Sequence, residues 1–318
     1  AEVGRGRRMS RPEDKRPNRK KRLRVACIAA AAAVLVFGYT PPGKAMWAAL
    51  MRAAGLAHFT ASLPEDALHV HVIDVGKADA ILLESPDANV LVDCGTAEAA
   101  EDVLRYLAAR GIDRLDAVWI SHPDDDHCGG LPAVLQTVPA DAVVESPVGE
   151  SISGMTALPQ AVPLRRAAVG ERCAYGAMTF EVLGPLQDYA ESNNDSTVFR
   201  LQYDGFTMLF CGDMGAQAER DLLAGGAALR ADVLKVAHHG SDTSTSAALL
   251  EAVQPRYAVI SSGVDRSMLP RNAVLQRLHT AGAEIFRTDT DGAVVFSAAD
   301  GKISVITENG RSAACAEP

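Results

Sequence analysis

The chain is poor in aromatic residues, which make up 5% of its 318 positions, with only two tryptophans. A core of this composition is expected to rest on Ala, Val and Leu. There are six cysteines, at 27, 94, 128, 173, 211 and 315, and no Cys-x-x-Cys pair. That removes the usual cysteine signature of a structural zinc site, and the spacings name no disulfide. No repeat of fixed short period occurs, and there is no succession of long apolar runs of the kind a multi-span channel needs. Positive charge is scarce beyond the amino terminus. Residues 1–24 carry eleven Lys and Arg against three acids, while the whole chain is at -9, which leaves about -17 for the remainder. A globular part that acidic repels polyphosphate over most of its surface, which argues against tight, sequence-independent nucleic-acid binding but not against turnover of a nucleic acid at a metal site.

What is present divides unevenly. A basic head at 1–24 is followed by an apolar segment at 25–39, short for a membrane span and suited to a signal-peptide core or an amino-terminal anchor. A linker at 40–66, with a candidate helix from Ala45 to Leu56, leads to a domain expected at 67–307, and 308–318 reads as a tail. The positive flank places the domain outside the cytoplasm, secreted or anchored to the outer face of the membrane, with the amino-terminal segment as its membrane contact. At 48% hydrophobic and 22% charged, the chain has ample material for a large core.

Within the domain, strands are expected at 68–74, 80–84, 90–93 and 116–121, with helical spacing at 97–110 and 131–136. A hairpin is expected around Asp204-Gly205, and a second near Asp291-Gly292. Between them run a helix at 215–224, strand 231–237, helix 246–253, strand 256–261, helix 271–281 and strand 284–288. Two sheets packed face to face with helices outside fit this order better than a doubly wound parallel sheet, because hairpins crowd the first half.

The chemistry concentrates at strand ends. His122-Pro123-Asp124-Asp125-Asp126-His127 follows the apolar run 117–120, and two histidines with up to three carboxylates in one short loop point to a divalent metal rather than a solvated acidic turn. Asp93 ends Leu91-Val92-Asp93-Cys94-Gly95, Asp213 ends 209–213, and His238-His239 ends 233–237. Asp213 taken alone would serve as a turn or helix N-cap. Adjacent residues at a strand end point opposite ways, so at most one of His238 and His239 is expected to face a metal. Cys94, Cys128 and Cys211 lie beside these positions, as supports of the site or as small buried hydrophobes. His69 and His71 share one strand face and read as structural, and Lys235 reads as exposed.

These pieces, in this order over about 68–298, resemble the metallo-β-lactamase fold, and within it the ComEC-type hydrolase domain of bacterial DNA-uptake channels. The matching segments include 72–80, 91–95, 121–130, Asn193-Asn194-Asp195-Ser196, 211–213 and 231–241. The resemblance implies a four-layered αββα sandwich with one or two divalent metals in the cleft between the sheets. It implies that His122 and Asp124 serve one metal, that Asp126 and His127 serve the other, and that Asp213 bridges. His238 or His239 would be a ligand or a proton donor to the leaving oxygen, with Asp126, His238 and His239 as the catalytic set and His238 counted among the metal ligands. Asp124 stands where the general pattern has a second histidine, which shifts preference from zinc towards manganese, with magnesium also open. A further histidine after the middle strands has no counterpart, the nearest region being Asn193 to Asp195. A Gly-His-Pro segment reads Met268-Leu269-Pro270, and a glycine of the first motif is Ala78. One tight metal, two weak ones and an inactive relative all stay open.

The implied function is an exported metal-dependent hydrolase, a phosphodiesterase or nuclease acting on DNA or nucleotides in a competence-related role. The alternatives are a small-ester or lactone hydrolase, which an acidic surface favours, and a non-catalytic binding module. No protein partner is implied.

Overall fold

The computed structural model describes residues 63–154, 158, 162–263 and 266–314. The basic head, the apolar segment, most of the linker with its candidate helix, Cys27, His58 and Cys315 lie outside the described residues.

Two mixed sheets form the frame. One has the order β16 (Ser312–Ala314), β15 (Lys302–Thr307), β14 (Val294–Ala299), β1 (Leu68–Val72), β2 (Ala80–Glu84), β3 (Asn89–Cys94), β4 (Ala117–Trp119), β5 (Val143–Glu145) and β6 (Leu164–Arg166). The other has the order β13 (Glu284–Arg287), β12 (Tyr257–Ile260), β11 (Val233–Lys235), β10 (Phe206–Phe210), β9 (Val198–Tyr203), β8 (Met178–Gly184) and β7 (Arg172–Tyr175). Each sheet is antiparallel in one part and parallel in the other. β3 to β6 and β10 to β13 are the parallel runs, and they are fed by helices. The helices are α1 (Ala100–Arg110), α2 (Asp125–Cys128), α3 (Leu131–Thr137), α4 (Ala216–Ala224), α5 (Ala247–Val253), α6 (Asn272–Thr280) and α7 (Thr288–Asp291).

Strand periodicity makes the layers. On β1, Leu68, Val70 and Val72 face the opposite sheet, while His69 and His71 face the outer helices. Alternation on β2, β3 and β4 sends Ile81, Leu83, Val90, Val92 and Trp119 inward and Leu82, Leu91 and Val118 outward. Three apolar clusters result: one between the sheets, one under α1 and α3, and one under α4, α5 and α6. Three buried interfaces separate four layers, so the αββα sandwich holds and the doubly wound alternative does not.

Three expectations need correction. Among the described residues most of the aromatics are not diluted through an aliphatic core but concentrated between the sheets. There Trp119, Phe180, Phe199 and Phe210 form a stacked row with ring centroids 4.6–5.3 Å apart. Asp291-Gly292 closes α7 rather than a hairpin; that turn falls at Asp300-Gly301, both left-handed, between β14 and β15. The Asp204-Gly205 turn, also left-handed at both residues, joins β9 to β10 as expected. The stretch read as a tail includes β16, which pairs with β15 through Val305–Ala313.

Candidate metal centre

The carboxyl ends of the parallel strands converge at one rim of the sandwich, which is where open parallel sheets gather ligands. β3 delivers Asp93, β4 delivers Ser121 and His122, β10 delivers Asp213, and β11 delivers the His238-His239 turn. The turn into α2 brings Asp124, and α2 itself brings Asp126 and His127. Gly212, at φ 48, allows the closest approach: a Cβ there would stand 2.9 Å from that of Ser196 and 3.0 Å from that of Ser121. Only glycine lets the Asp213 loop lie against the His122 loop.

Each central imidazole is anchored through Nδ1. His127 Nδ1 is 2.8 Å from Asp93 Oδ2, and the Ser121 hydroxyl donates to the same oxygen at 2.8 Å. That leaves the Ser121 oxygen to accept from His122 Nδ1 at 3.1 Å. His239 Nδ1 donates to the Ser261 carbonyl at 3.0 Å. With the outer nitrogens so engaged, the three Nε2 atoms face inward. His122 Nε2, His127 Nε2, His239 Nε2 and Asp213 Oδ1 are all buried and all without a hydrogen-bond partner. Four such orphans would be costly if nothing bound them. His127 Nε2 lies 3.3 Å from Asp213 Oδ1, off the line of a hydrogen bond, and His239 Nε2 lies 3.5 Å from Asp126 Oδ2 and 3.6 Å from Asp213 Oδ2. Among the described residues three groups have ligand atoms within 4.8 Å of one another: His122, His127 and Asp213; Asp126, His127 and His239; and Asp79, Asp93 and His127. In the third, Asp93 already anchors His127 through Nδ1, which leaves the first two for the inward-facing Nε2 atoms. Imidazole nitrogens mixed with carboxylate oxygens form a donor set suited to a divalent transition metal, and the residues fit such an ion.

Electrostatics agrees. Burial opposes charge on His127, but Asp213 and Asp93 outweigh it and hold its pKa well above the ordinary value. Burial likewise opposes ionisation of Asp213, yet His239 and His127 hold its carboxyl well below the usual range. Asp126 is also held low, against burial, by His239, His127 and Lys77. The interior thus favours positive charge at its centre.

The structure places His122, Asp126, His127, Asp213 and His239 around one centre. Asp124 is at its edge, Oδ2 being 3.6 Å from His122 Nε2 with the side chain 41% exposed. His238 is at the rim, 24% exposed, with Nε2 3.8 Å from Asp213 Oδ2; burial, ahead of its charged neighbours, lowers its pKa. The opposed-side expectation for His238 and His239 fails locally. The pair is not extended but left-handed at both residues, φ 50 each, and both rings reach the same Asp213 oxygen. Asp213 is no helix cap, since Gly215 holds that position for α4.

Other residues depart from their reading. Lys235 is buried, its ammonium 2.8 Å from Asp79 Oδ2. It follows Val233 by two on β11 and so points between the sheets. Cys94, Cys128 and Cys211 pack in apolar clusters, and burial raises the thiol pKa of each, that of Cys128 to about 11 and that of Cys211 to about 12, so they act as small hydrophobes. Asn194 accepts from Ala218 N and Asp195 from Tyr189 N, which makes both scaffold for neighbouring turns. His69 bonds to Ser297 and the Pro64 carbonyl, and His71 to Tyr106 and Glu84, which fits their structural reading. Sequence reasoning did not assign Ser121, Lys77 or Asp79 to the site. Lys77 Nζ lies 2.6 Å from Asp126 Oδ2, and the only signal for it was its place two residues before an Asp in the first matching segment.

A model of the Metallo-beta-lactamase superfamily matches residues 73–264. Competence protein ComA of Neisseria gonorrhoeae is 32% identical over 285 residues, covering 88% of this chain and 40% of that protein. ComE operon protein 3 of Bacillus subtilis is 30% identical over 253 residues, covering 71% of this chain and 32% of its own length. The chain therefore spans less than half the length of these relatives. Among solved structures, the metallo-beta-lactamase fold protein YhfI from Bacillus subtilis superposes with a TM-score of 0.54 at 16% identity, covering 73% of this chain and all of that one. That likeness concerns the fold.

Proposed function

Because the chain belongs to the metallo-β-lactamase superfamily and carries a metal-dependent hydrolase site, we propose that it is a phosphodiesterase or nuclease acting on DNA or nucleotides in a competence-related role. The carrying observation is the convergence of three orphaned imidazole Nε2 atoms and Asp213 Oδ1 at the sheet ends. The name of one relative, Competence protein ComA, supports the competence-related part of the reading.

Asp126, His127 and His239 would hold one ion, and His122 with Asp213 a second, Asp124 standing beside His122. Bound divalent metal lowers the pKa of water and neutralises developing charge on oxygen. The chain's own residues do the rest. Asp93, Ser121 and the Ser261 carbonyl fix the tautomer and direction of the imidazoles. His238, at the rim, is the group open to exchange a proton with a leaving oxygen. We assign manganese as the favoured ion, with zinc or magnesium as alternatives, because Asp124 adds a hard oxygen donor beside His122. The domain is proposed to act outside the cytoplasmic membrane, secreted or held there by the amino-terminal segment. Among the described residues no helix is long and apolar enough to cross a membrane.

A second reading, hydrolysis of a small neutral ester or lactone, is favoured by one feature. A cavity of about 590 Å³ beside the site is lined by Asp124, Glu150, Asp188, Glu191 and Asp195, a poor surface for polyphosphate. Incubation of the purified full chain with single-stranded DNA and manganese, beside Asp126→Ala and His127→Ala, separates the two. Cleavage by the wild type alone supports the nuclease; intact DNA and intact phosphodiesters with turnover of a lactone support the second reading.

A further inference from the structure

The segment that follows β12 touches the rim of the site at two places. A Cβ on Gly263 would stand 2.5 Å from Lys77 N and 2.8 Å from Gly76 Cα, so the backbone there lies directly on the turn before Asp79. Further on, Arg271 N donates to the Gly240 carbonyl at 2.9 Å, and a Cβ on Gly240 would stand 2.4 Å from Pro270 Cβ. Gly240 follows His239 directly, so Pro270 and Arg271 rest on the turn that carries His238 and His239.

Arg271 is the wrong residue for its helix. It stands at the N-cap of α6, with φ -70 and ψ 141. That position favours Ser, Thr, Asp or Asn, whose oxygens take up the open N–H groups of the first turn. An arginine has no acceptor to offer, and the positive end of the helix dipole opposes its charge. α6 has neither a side-chain cap bond nor an acid in its first turn to answer it. Neighbouring α5 shows the ordinary solution, with Ser246 accepting from Leu249 N. Nor is the charge met elsewhere: the side chain is half-buried, yet among the described residues its guanidinium has no hydrogen bond or ion pair. Other arginines of this acidic domain are tied to carboxylates, Arg110 to Glu84, Arg165 to Glu171, Arg200 to Glu181 and Arg287 to Asp289. A residue that breaks the local rules of its helix without a compensating contact in the fold is characteristic of a binding site.

We propose that Arg271 is the anion-binding residue of this site, its planar guanidinium donating in parallel to two non-bridging oxygens of a phosphoryl group at the His239 end. The inference rests on the phosphoester reading above and names the residue that recognises that substrate class. This is the end away from the acidic cavity, which opens beside Asp124 and His122. Loss of a structural arginine would lower stability. Replacing this one with a capping residue should raise stability while phosphate binding is lost.

The test is calorimetric titration of inorganic phosphate into the manganese-loaded full chain, for wild type, Arg271→Ser, Arg271→Lys and Arg266→Ser. Manganese affinity and the urea unfolding midpoint are measured separately. Arg271→Ser should weaken phosphate about 10- to 100-fold, through loss of a charge-assisted contact, and raise the urea midpoint, because serine caps α6. Arg271→Lys keeps the charge without the fork and should fall between the two. Arg266 lies on the same segment, exposed and also unpaired among the described residues, so it controls for net charge. Its loss should cost less than about threefold. Manganese affinity should stay within about threefold of wild type throughout, well short of the roughly 10- to 100-fold seen when a ligand's support is lost. Unchanged phosphate binding in Arg271→Ser, no phosphate binding by the wild type, an equal loss in Arg266→Ser, a loss that only tracks lost manganese, or a loss accompanied by a lower urea midpoint would each overturn the proposal. Turnover of bis(para-nitrophenyl) phosphate by the wild type is followed in parallel. Arg271-dependent phosphate binding without turnover sinks the phosphodiesterase reading and leaves Arg271 standing, and turnover with phosphate binding unchanged in Arg271→Ser does the reverse.

Discussion

Replacing Lys235 with Met should destabilise the protein far more than replacing Lys235 and Asp79 together. Both side chains are almost wholly buried, and their charged atoms are 2.8 Å apart. At an effective dielectric of 20, that separation corresponds to an attraction of about 6 kcal/mol. Desolvation costs several kcal/mol for each ion, so the intact pair comes out near break-even against an apolar pair of the same shape. Breaking it is another matter. Lys235→Met strands an aspartate whose Oδ1 already lacks a hydrogen-bond partner and whose other neighbours are His127 and His239 at 3.9 Å. The expected loss is about 3–5 kcal/mol, a large share of the ~5–15 kcal/mol typical of a whole domain. The double variant Lys235→Met/Asp79→Asn removes the stranded charge and should recover at least half of that loss. Urea unfolding of the chelator-treated protein at neutral pH, followed by circular dichroism, reads all four corners of the cycle. A single variant within about 1 kcal/mol of wild type, or a double variant no better than Lys235→Met, would refute the reasoning.

Asp93→Asn should weaken metal binding about 10- to 100-fold, because His127 loses the carboxylate that orients its ring. Competition with a chromophoric chelator measures this, and unchanged affinity would make Asp93 a fold residue only. His239→Ala should abolish or sharply reduce bound metal on elemental analysis while His238→Ala keeps it, since His239 is in the convergent group and His238 is at the rim. The reverse order would exchange their roles. Stability should also fall in acid through His71. Burial lowers its pKa to about 4, so the folded state holds it neutral and the unfolded chain binds more protons between pH 4 and 6.5. The contribution is therefore complete above pH 6.5 and about 3 kcal/mol is lost as pH falls towards 4. Glu84, held down to about 2 by His71 and Arg110 against its burial, adds a further loss below about pH 4.5. In His71→Gln the slope of urea midpoint against pH between 4 and 6.5 should flatten, and a slope equal to wild type would remove His71 from the account.

The parts of the fold that were legible are those in which one strand or helix carries its own signal. Alternation in Leu68–Val72, the Asp204-Gly205 turn and the α4–β11–α5–β12–α6–β13 succession are local patterns, and local patterns survive into the structure. What the sequence hid depends on registry between distant segments. Lys235 reads as an ordinary exposed lysine until β11 is known to lie inside the parallel run facing Asp79. His238 and His239 read as a strand end because nothing in two histidines announces two consecutive left-handed residues. The aromatics, few in number, could not be assigned to one layer before the two sheets were known to face each other. The ligand loop at 122–127 was visible because its donors are packed into six residues. Ser121 and the Ser261 carbonyl were invisible because supporting roles fall to common residues whose function comes from position alone.

The layout of charge constrains how a substrate would lie. The rings run in a row: His122 sits 4.1 Å from His127 between centroids, and His127 sits 5.4 Å from His239. Asp124 stands at the His122 end, opening on the acidic cavity, while Asp126 and Lys77 stand at the His239 end. The Asp124 end of the row is thus acidic, whereas at the other end Lys77 offsets Asp126. A phosphoryl group set across the row meets repulsion at the Asp124 end. A diester with a second phosphate on either side suffers more at the acidic end than a monomeric ester does, and more so at low salt, where exposed carboxylates act over a longer range. Short substrates with one anionic group should therefore be processed better than long strands at low ionic strength, with the gap narrowing as salt is raised. The comparison is a dinucleotide against single-stranded DNA of mixed sequence, at two salt concentrations and saturating manganese. A long strand favoured at low salt would mean that the acidic cavity does not lie on the substrate's path.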